Sequence, residues 1–356
     1  MAHFAYRLPS FATDFSAAIS MVSTMKGMSV LHAPSGCMGD YCSFDEPDWV
    51  RNPGLTYCSM LKEDETIFGN DEILLGKIDD ACEKVSPPFV AVIGSPITAL
   101  IGTDMQGIAE ISENRTGIPT IAVDTTGFGT YQDGLYKAFA SCLDKFGFDG
   151  EESKGTVILG MDKFDYHTCA DREFLESMVK SAGHDPAGCM PGDGVAFFDD
   201  LVHADSCLAV SVAGMRMARL LRKRFGTKTD ILSYEPEESC RSNGKRCLVI
   251  GDQVVSGYIR GIVTSGYGYE CDVGTLFGFE SSISEGNDFR ADSEKELRDR
   301  LGSERYDVII CDPMVGSLAP EGTEVIAMPN PAVSSKIHWN DFVPLKDVPR
   351  YLKGRL

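Results

Sequence analysis

The stretch LHAPSGCMGDYCSFDEPDW, Leu31 to Trp49, joins a short apolar run (Met28–Leu31) to a turn carrying Pro34, Gly36 and Gly39, and then presents Cys37 and Cys42. Pro and Gly punctuate a strand end, and Gly36 allows close backbone approach to whatever binds there. A thiol at a strand-to-helix turn stands where loops on a rigid scaffold carry chemistry. Cys is also among the most buried residue types. Spacing alone therefore leaves two readings open, a functional thiol and a packed one.

Outward from this stretch the same unit recurs: a short apolar run, a Gly or polar turn, then a helical segment. The runs are Met28–Leu31, Phe89–Ile93, Thr120–Val123, Thr156–Leu159, Cys207–Val212, Asp230–Leu232, Arg246–Ile250, Asp307–Ile310 and Glu324–Ala327. Apolar runs alternating with helices read as buried parallel strands, so the expected class is α/β with two to three Rossmann-like domains. The expected units are 1–150, 155–240 and 244–335, followed by a C-terminal segment, 336–356. The hydrophilic stretch Gly147–Gly155 reads as the first linker. The second unit holds a helix near Asp171–Ala182, a Pro191-Gly192-Asp193-Gly194 turn and a basic helix, Met215–Arg224. The third opens on a strand–Gly–helix layout at Lys245–Val263 but has no G-x-G-x-x-G, so no dinucleotide site is assigned.

The 356 residues are 43% hydrophobic and 24% charged, an ordinary globular balance, and the formal net charge of −20 disfavours contact with a phosphate backbone. Nucleic acid is thus excluded as a partner. The N-terminus shows no basic-then-apolar leader, and the most apolar segment, Phe89–Gly102, is broken by Gly94, Ser95 and Pro96. A cytoplasmic location away from membranes is the expectation. Twelve Cys in a reducing compartment then argue for metal binding or burial rather than disulfides, and no C-x-x-C pair is present. Absence of a G-x-x-x-x-G-K-[ST] loop means that this chain binds no nucleotide by that mechanism.

Three ordered motifs carry a resemblance. They are His32-Ala33-Pro34-Ser35-Gly36-Cys37, the acidic helix start Glu63-Asp64-Glu65-Thr66-Ile67-Phe68-Gly69, and the loop Pro96 through Asp104. Together they resemble component 1 of nitrogenases and nitrogenase-like reductases, and the Gly192–Gly194 turn is similar to one in the later domains of such subunits. The resemblance implies a catalytic component of a two-component reductase. An ATP-dependent P-loop iron protein would deliver electrons to it through an interfacial iron–sulfur cluster, and a small-molecule substrate would lie between the domains.

In that family the N-terminal domain supplies three Cys per subunit. Here only Cys37 stands at such a position; by the resemblance Ser10 and Ser95 occupy the other two, which argues against a double-cubane cluster and leaves each Ser a candidate oxygen ligand. Cys58 and Cys42 lie close by in sequence. The resemblance then implies one 4Fe–4S cluster shared across a homodimer, or a heterodimer with a related subunit, with Cys37 and Cys58 as first-choice ligands and Cys42 as the substitute. Cys42 and Cys58 read equally as packed thiols. His338, in Lys336-Ile337-His338-Trp339, matches an aromatic-flanked catalytic His of the family and reads equally as a hydrogen-bonded surface residue. His32 is expected to buttress the turn. Cys82, Cys142 and Cys247 read as core, and no second metallocofactor is expected at Cys207, because the register puts Val212 at the corresponding point. Two other classes stay open: a cofactor-assembly scaffold, and a metal-free small-molecule binding protein of the same fold.

Overall fold

The computed structural model describes residues 5–69, 71–147, 155–166, 168–236 and 240–356; most of the expected Gly147–Gly155 linker lies outside them. The first sheet comprises β1 (Met28–Leu31), β2 (Thr56–Cys58), β3 (Val90–Ile93) and β4 (Thr120–Val123), in the order β2-β1-β3-β4. The second comprises β5 (Thr156–Leu159), β6 (Pro186–Met190), β7 (Ser206–Ala209) and β8 (Lys228–Ile231), in the order β6-β5-β7-β8. The third comprises β9 (Arg246–Ile250), β10 (Glu270–Thr275), β11 (Phe289–Arg290), β12 (Val308–Cys311) and β13 (Glu324–Ala327), in the order β11-β10-β9-β12-β13.

Every strand pair in these sheets is parallel. Parallel strands need a crossover between them, and the helices supply it while covering the faces. That is why β1, β3, β5 and β12 are buried at every residue. Four strands were not expected from the sequence: β2, β6, β10 and β11. None is a continuous run of β-branched apolar residues, and β6 (Pro186-Ala187-Gly188-Cys189-Met190) carries Pro and Gly, which read as loop. In β10 the alternating Glu270 and Asp272 hide the signal, and the buried Asp272 is held by Arg246 at 2.7 Å and by the Tyr306 hydroxyl at 3.0 Å.

In each sheet the strand order reverses once, between β1 and β3, between β5 and β7, and between β9 and β12. Such switch points leave a crevice at the carboxyl ends of the strands, where α/β proteins bind ligands. The second and third crevices meet. The loop after β5, Met161–Tyr166, is wholly buried there.

A nearly fully buried helix, Asp14–Thr24, closes the back of the first unit against the helix Tyr131–Phe146. Its carboxylate Asp14 accepts from the Gly127 amide at 2.7 Å and the Thr126 amide at 3.0 Å, with Lys137 at 3.3 Å. Close approach of the two helices depends on Gly134, where an added Cβ would lie 1.8 Å from the Asp14 carbonyl oxygen. Gly134→Ala is therefore expected to force the helices apart at a cost of about 1–3 kcal/mol, read as a lower urea midpoint. An unchanged midpoint would mean that the contact yields freely.

Candidate functional site

The site grows from the switch point of the first sheet. β1 runs into Ala33-Pro34 and then a short helix, Ser35–Asp40, that carries Cys37 one residue after Gly36. A Cβ on Gly36 would meet nothing within 4 Å, so open space lies beside the turn. The chain continues as one turn of π-helix, Tyr41–Asp45, carrying Cys42; such turns occur frequently at functional sites. Cys58 ends β2 and pairs in register with Leu31 of β1. All three thiols are half-buried, and Cys58 is close enough to Cys37 and to Cys42 to act on both electrostatically. The structure thus brings together three of the expected ligands from two segments, Cys37 and Cys42 on the continuous stretch after β1 and Cys58 at the end of β2.

Hydrogen bonds fix these loops. The Cys58 thiol donates to the Ala33 carbonyl at 3.2 Å, and the Met60 amide donates to the Cys58 sulfur at 3.4 Å. Met60 holds φ at 57°, a left-handed conformation uncommon for a non-glycine residue, while presenting that amide. Ser59 Oγ bonds His32 Nδ1 at 2.9 Å and accepts from the Ala33 amide at 3.1 Å. His32 is buried, and burial lowers its pKa, so it stays neutral and buttresses the turn.

Two lysines reach the thiol-bearing loops. Lys77 Nζ donates to the Ser59 carbonyl, and Lys336 Nζ lies 3.4 Å from the Cys42 carbonyl. Each favours the thiolate nearest it, Lys77 at Cys58 and Lys336 at Cys42. Burial outweighs them and pushes all three thiols above their ordinary value, aided at Cys37 by Asp40 and Cys58 and at Cys42 by Cys58. The sign is clear: a raised thiol pKa keeps the proton on through neutral pH. Alkylation of Cys37, Cys42 and Cys58 by iodoacetamide should be slow at pH 7 and should climb only above pH 9. Peptide mapping against a free-thiol standard checks this; standard-like rates at pH 7 would show the thiols to be solvated.

The remaining expected residues are placed differently. Ser95 is fully buried, donates from Oγ to the His32 carbonyl at 2.7 Å, and caps the helix Pro96–Ile101 by accepting from the Thr98 amide at 3.4 Å. Its hydroxyl ties the loop after β3 to the loop after β1. Ser10 is exposed on an N-terminal segment whose Tyr6, Arg7 and Leu8 amides converge on Glu294 at 2.7–2.9 Å. Among the described residues no hydrogen bond joins Ser10 to the thiols. His338 lies 3.5 Å from Asp341 through Nδ1, in the 3-10 segment Ser335–Asp341. That segment rests on the thiol loops through Lys336 and through Arg51–Asn340 at 2.9 Å. His338 thus shares a segment with Lys336 without touching the thiols in any described contact.

Sequence reading missed a charged seam beneath the site. Glu46, just after the π-turn, forms a buried ion pair with Lys163 of the β5 loop at 3.0 Å and accepts from the Tyr41 hydroxyl at 3.2 Å. Farther in, Asp165 accepts from the Tyr131 hydroxyl at 2.8 Å, and Asp252 accepts from Gln132 at 2.6 Å and the Val212 amide at 3.0 Å. Burial, then mutual repulsion, raises the Asp165 pKa. The cavity beside Asp165 and Asp252 measures about 50 Å³, far below the roughly 300–1,000 Å³ of ordinary ligand pockets.

The thiols' fit to an iron–sulfur cluster can be judged from their chemistry. Clusters take thiolates and are tuned by hydrogen bonds to sulfur; three thiols and one preformed N–H···S bond match that requirement. Four ligands are usual, so one chain falls short. Among the described residues no three His, Cys, Asp or Glu side chains converge closely enough for a single metal ion.

Comparison with known proteins places the chain. The model of the family "Nitrogenase component 1 type Oxidoreductase" matches residues 13–233. The nitrogenase iron-molybdenum cofactor biosynthesis protein NifE of Clostridium pasteurianum is 26% identical over 239 residues, covering 63% of this chain and 50% of that protein. The nitrogenase molybdenum-iron protein alpha chain of Methanosarcina barkeri is 22% identical over 173 residues, covering 46% and 32%. The chain spans half or less of the length of these relatives. A solved structure of nitrogenase Cp1 at pH 6.5 superposes with a TM-score of 0.73 over all of this chain and 94% of that one, at 12% identity, a likeness of fold. With a family model matched across more than half its length and the parallel three-sheet architecture to go with it, the chain belongs to the nitrogenase component 1 type oxidoreductase family.

Proposed function

We propose that this protein is an iron–sulfur or metallocofactor assembly scaffold, holding a cluster on its first unit and passing it on. The observation that carries this reading is the trio Cys37, Cys42 and Cys58 at the first switch point, half-buried and open at Gly36. A donor that must release its cargo needs an accessible rim. The switch-point crevice beside Asp165 and Asp252 holds roughly 50 Å³, too little for a large substrate or cofactor; a cavity of about 640 Å³ lies elsewhere, against Phe174, Tyr234 and Tyr258. Names borne by relatives point the same way: NifE is described as a cofactor biosynthesis protein.

Cys37 and Cys58 act as ligands, with Cys42 as the alternative, and a second subunit completes a 4Fe–4S set across the interface. Exposed Met60, Leu100 and Phe128, at 52%, 74% and 75%, follow β2, β3 and β4 at the same end of the sheet and give that subunit an apolar surface. The cluster's chemistry is thiolate exchange. This chain's residues position the loops through Ser59, Ser95 and His32, and donate to sulfur through the Met60 amide. Binding displaces thiol protons, so loading should weaken as pH falls.

The second reading, favoured by the family's description as an oxidoreductase, is a reductase component fed by a P-loop iron protein. One experiment separates the two. Anaerobic protein is loaded with iron and sulfide to about four irons per dimer and mixed with an apo cluster acceptor, or with an iron protein plus ATP. Transfer of iron to the acceptor supports the scaffold. Retention of iron with ATP-dependent bleaching of the cluster supports the reductase, and failure to load iron at all sinks both.

A further inference from the structure

Two thiols outside this rim face each other across the third sheet. Cys247 on β9 and Cys271 on β10 are register partners. Neighbouring strands lie about 4.8 Å apart, within the roughly 4.4–6.8 Å Cα separation that a disulfide spans. Register partners direct their side chains to the same face of the sheet, so the two thiols stand side by side, with the Cys271 thiol now donating to the Asp272 carbonyl at 3.7 Å. Their accessibilities differ: Cys247 is fully buried, whereas Cys271 is half-buried on a strand nearer the sheet edge. Such a pair offers one thiol that an oxidant can reach and a second behind it that can resolve the product.

We propose that Cys271 and Cys247 form an oxidisable dithiol that closes to a disulfide across β9 and β10. With a low-molecular-weight disulfide as oxidant, the Cys271 thiolate attacks one of its sulfurs and displaces a thiolate, leaving a mixed disulfide on Cys271. Cys247 then gives up its proton and attacks the Cys271 sulfur, expelling the second small thiolate. Two protein S–H bonds become one S–S bond, and the oxidant is reduced by two electrons and two protons to two thiols. Because the strands are already hydrogen-bonded in register, the two thiols are held opposite each other before oxidation. The bond would span the crossover helix Gln253–Tyr267 and divert oxidation at the half-buried thiol into a reversible product. This inference is independent of the cluster reading, since neither thiol belongs to the rim.

The test uses the full chain treated with excess glutathione disulfide under anaerobic conditions. The protein is then denatured in acid, its free thiols are trapped with N-ethylmaleimide in denaturant, and it is digested for mass spectrometry. The expected product joins the Cys247 and Cys271 peptides, is two hydrogens lighter than the pair, and separates on adding dithiothreitol. In Cys271→Ser the Cys247 thiol should be recovered trapped, and in Cys247→Ala the mixed disulfide should persist on Cys271. A wild-type protein that keeps a stable mixed disulfide on Cys271, or both thiols unchanged, overturns the proposal. So does Cys247 bridged to any other cysteine.

Discussion

Replacing Cys37 with alanine is expected to remove the visible absorbance of anaerobically reconstituted protein and to drop its iron from about four per dimer to near zero. Cys37 is carried on the Ser35–Asp40 helix beside open space. Its position as the thiol of the His32–Cys37 turn gives it no neighbour able to substitute within that helix. Cys58→Ala should have a comparable effect and should also free the Met60 amide that now donates to its sulfur. Cys142→Ala, at a fully buried thiol in the Tyr131–Phe146 helix, should leave the iron content unchanged and serves as the control. Full iron loading in Cys37→Ala would remove Cys37 from the ligand set and leave Cys42 to be tested with Cys58.

The largest effect on stability is expected at Lys163. Lys163 and Glu46 are 7% and 2% exposed, and their contact links the π-turn of the first unit to the β5 loop of the second. Removing one partner of a buried pair strands the other charge out of water, at a cost of about 3–5 kcal/mol. Lys163→Met should therefore lower the urea midpoint sharply and loosen the Tyr41–Asp45 turn that carries Cys42. The double variant Lys163→Met/Glu46→Leu should recover much of the loss, since no buried charge is left unpaired. A single-variant cost below about 1 kcal/mol, the range of exposed pairs, would show that water reaches this seam.

These two predictions draw on different layers of information. The turn that presents Cys37 was legible in the sequence because Pro and Gly after an apolar run mark a strand end. The α/β class was legible for the same kind of reason: buried parallel strands read as continuous apolar runs, as Val90–Ile93 and Val308–Cys311 do. β10 was not legible, because its buried Asp272 acquires a partner only when Arg246 of β9 and Tyr306 arrive from distant sequence. Lys163 and Glu46 carried no signal in the sequence, because their pairing exists only once folding brings together residues 117 positions apart.

Sequence by itself determined that this chain is α/β and that a Pro/Gly turn presents Cys37, while the family resemblance made Ser10 and Ser95 candidate oxygen ligands. Tertiary structure alone decided what those positions do. Ser95 is a buried cap joined to the His32 carbonyl, while Ser10 is exposed on a segment whose Tyr6, Arg7 and Leu8 amides bind Glu294. It also decided that Cys37, Cys42 and Cys58 lie at the same end of the first sheet and that the crevice beside Asp165 and Asp252 is narrowed to about 50 Å³. The physical reason is the same throughout. Apolar periodicity is a local property of the chain, whereas the desolvation and pairing of a thiol, a hydroxyl or a carboxylate depend on which distant segments fold over it.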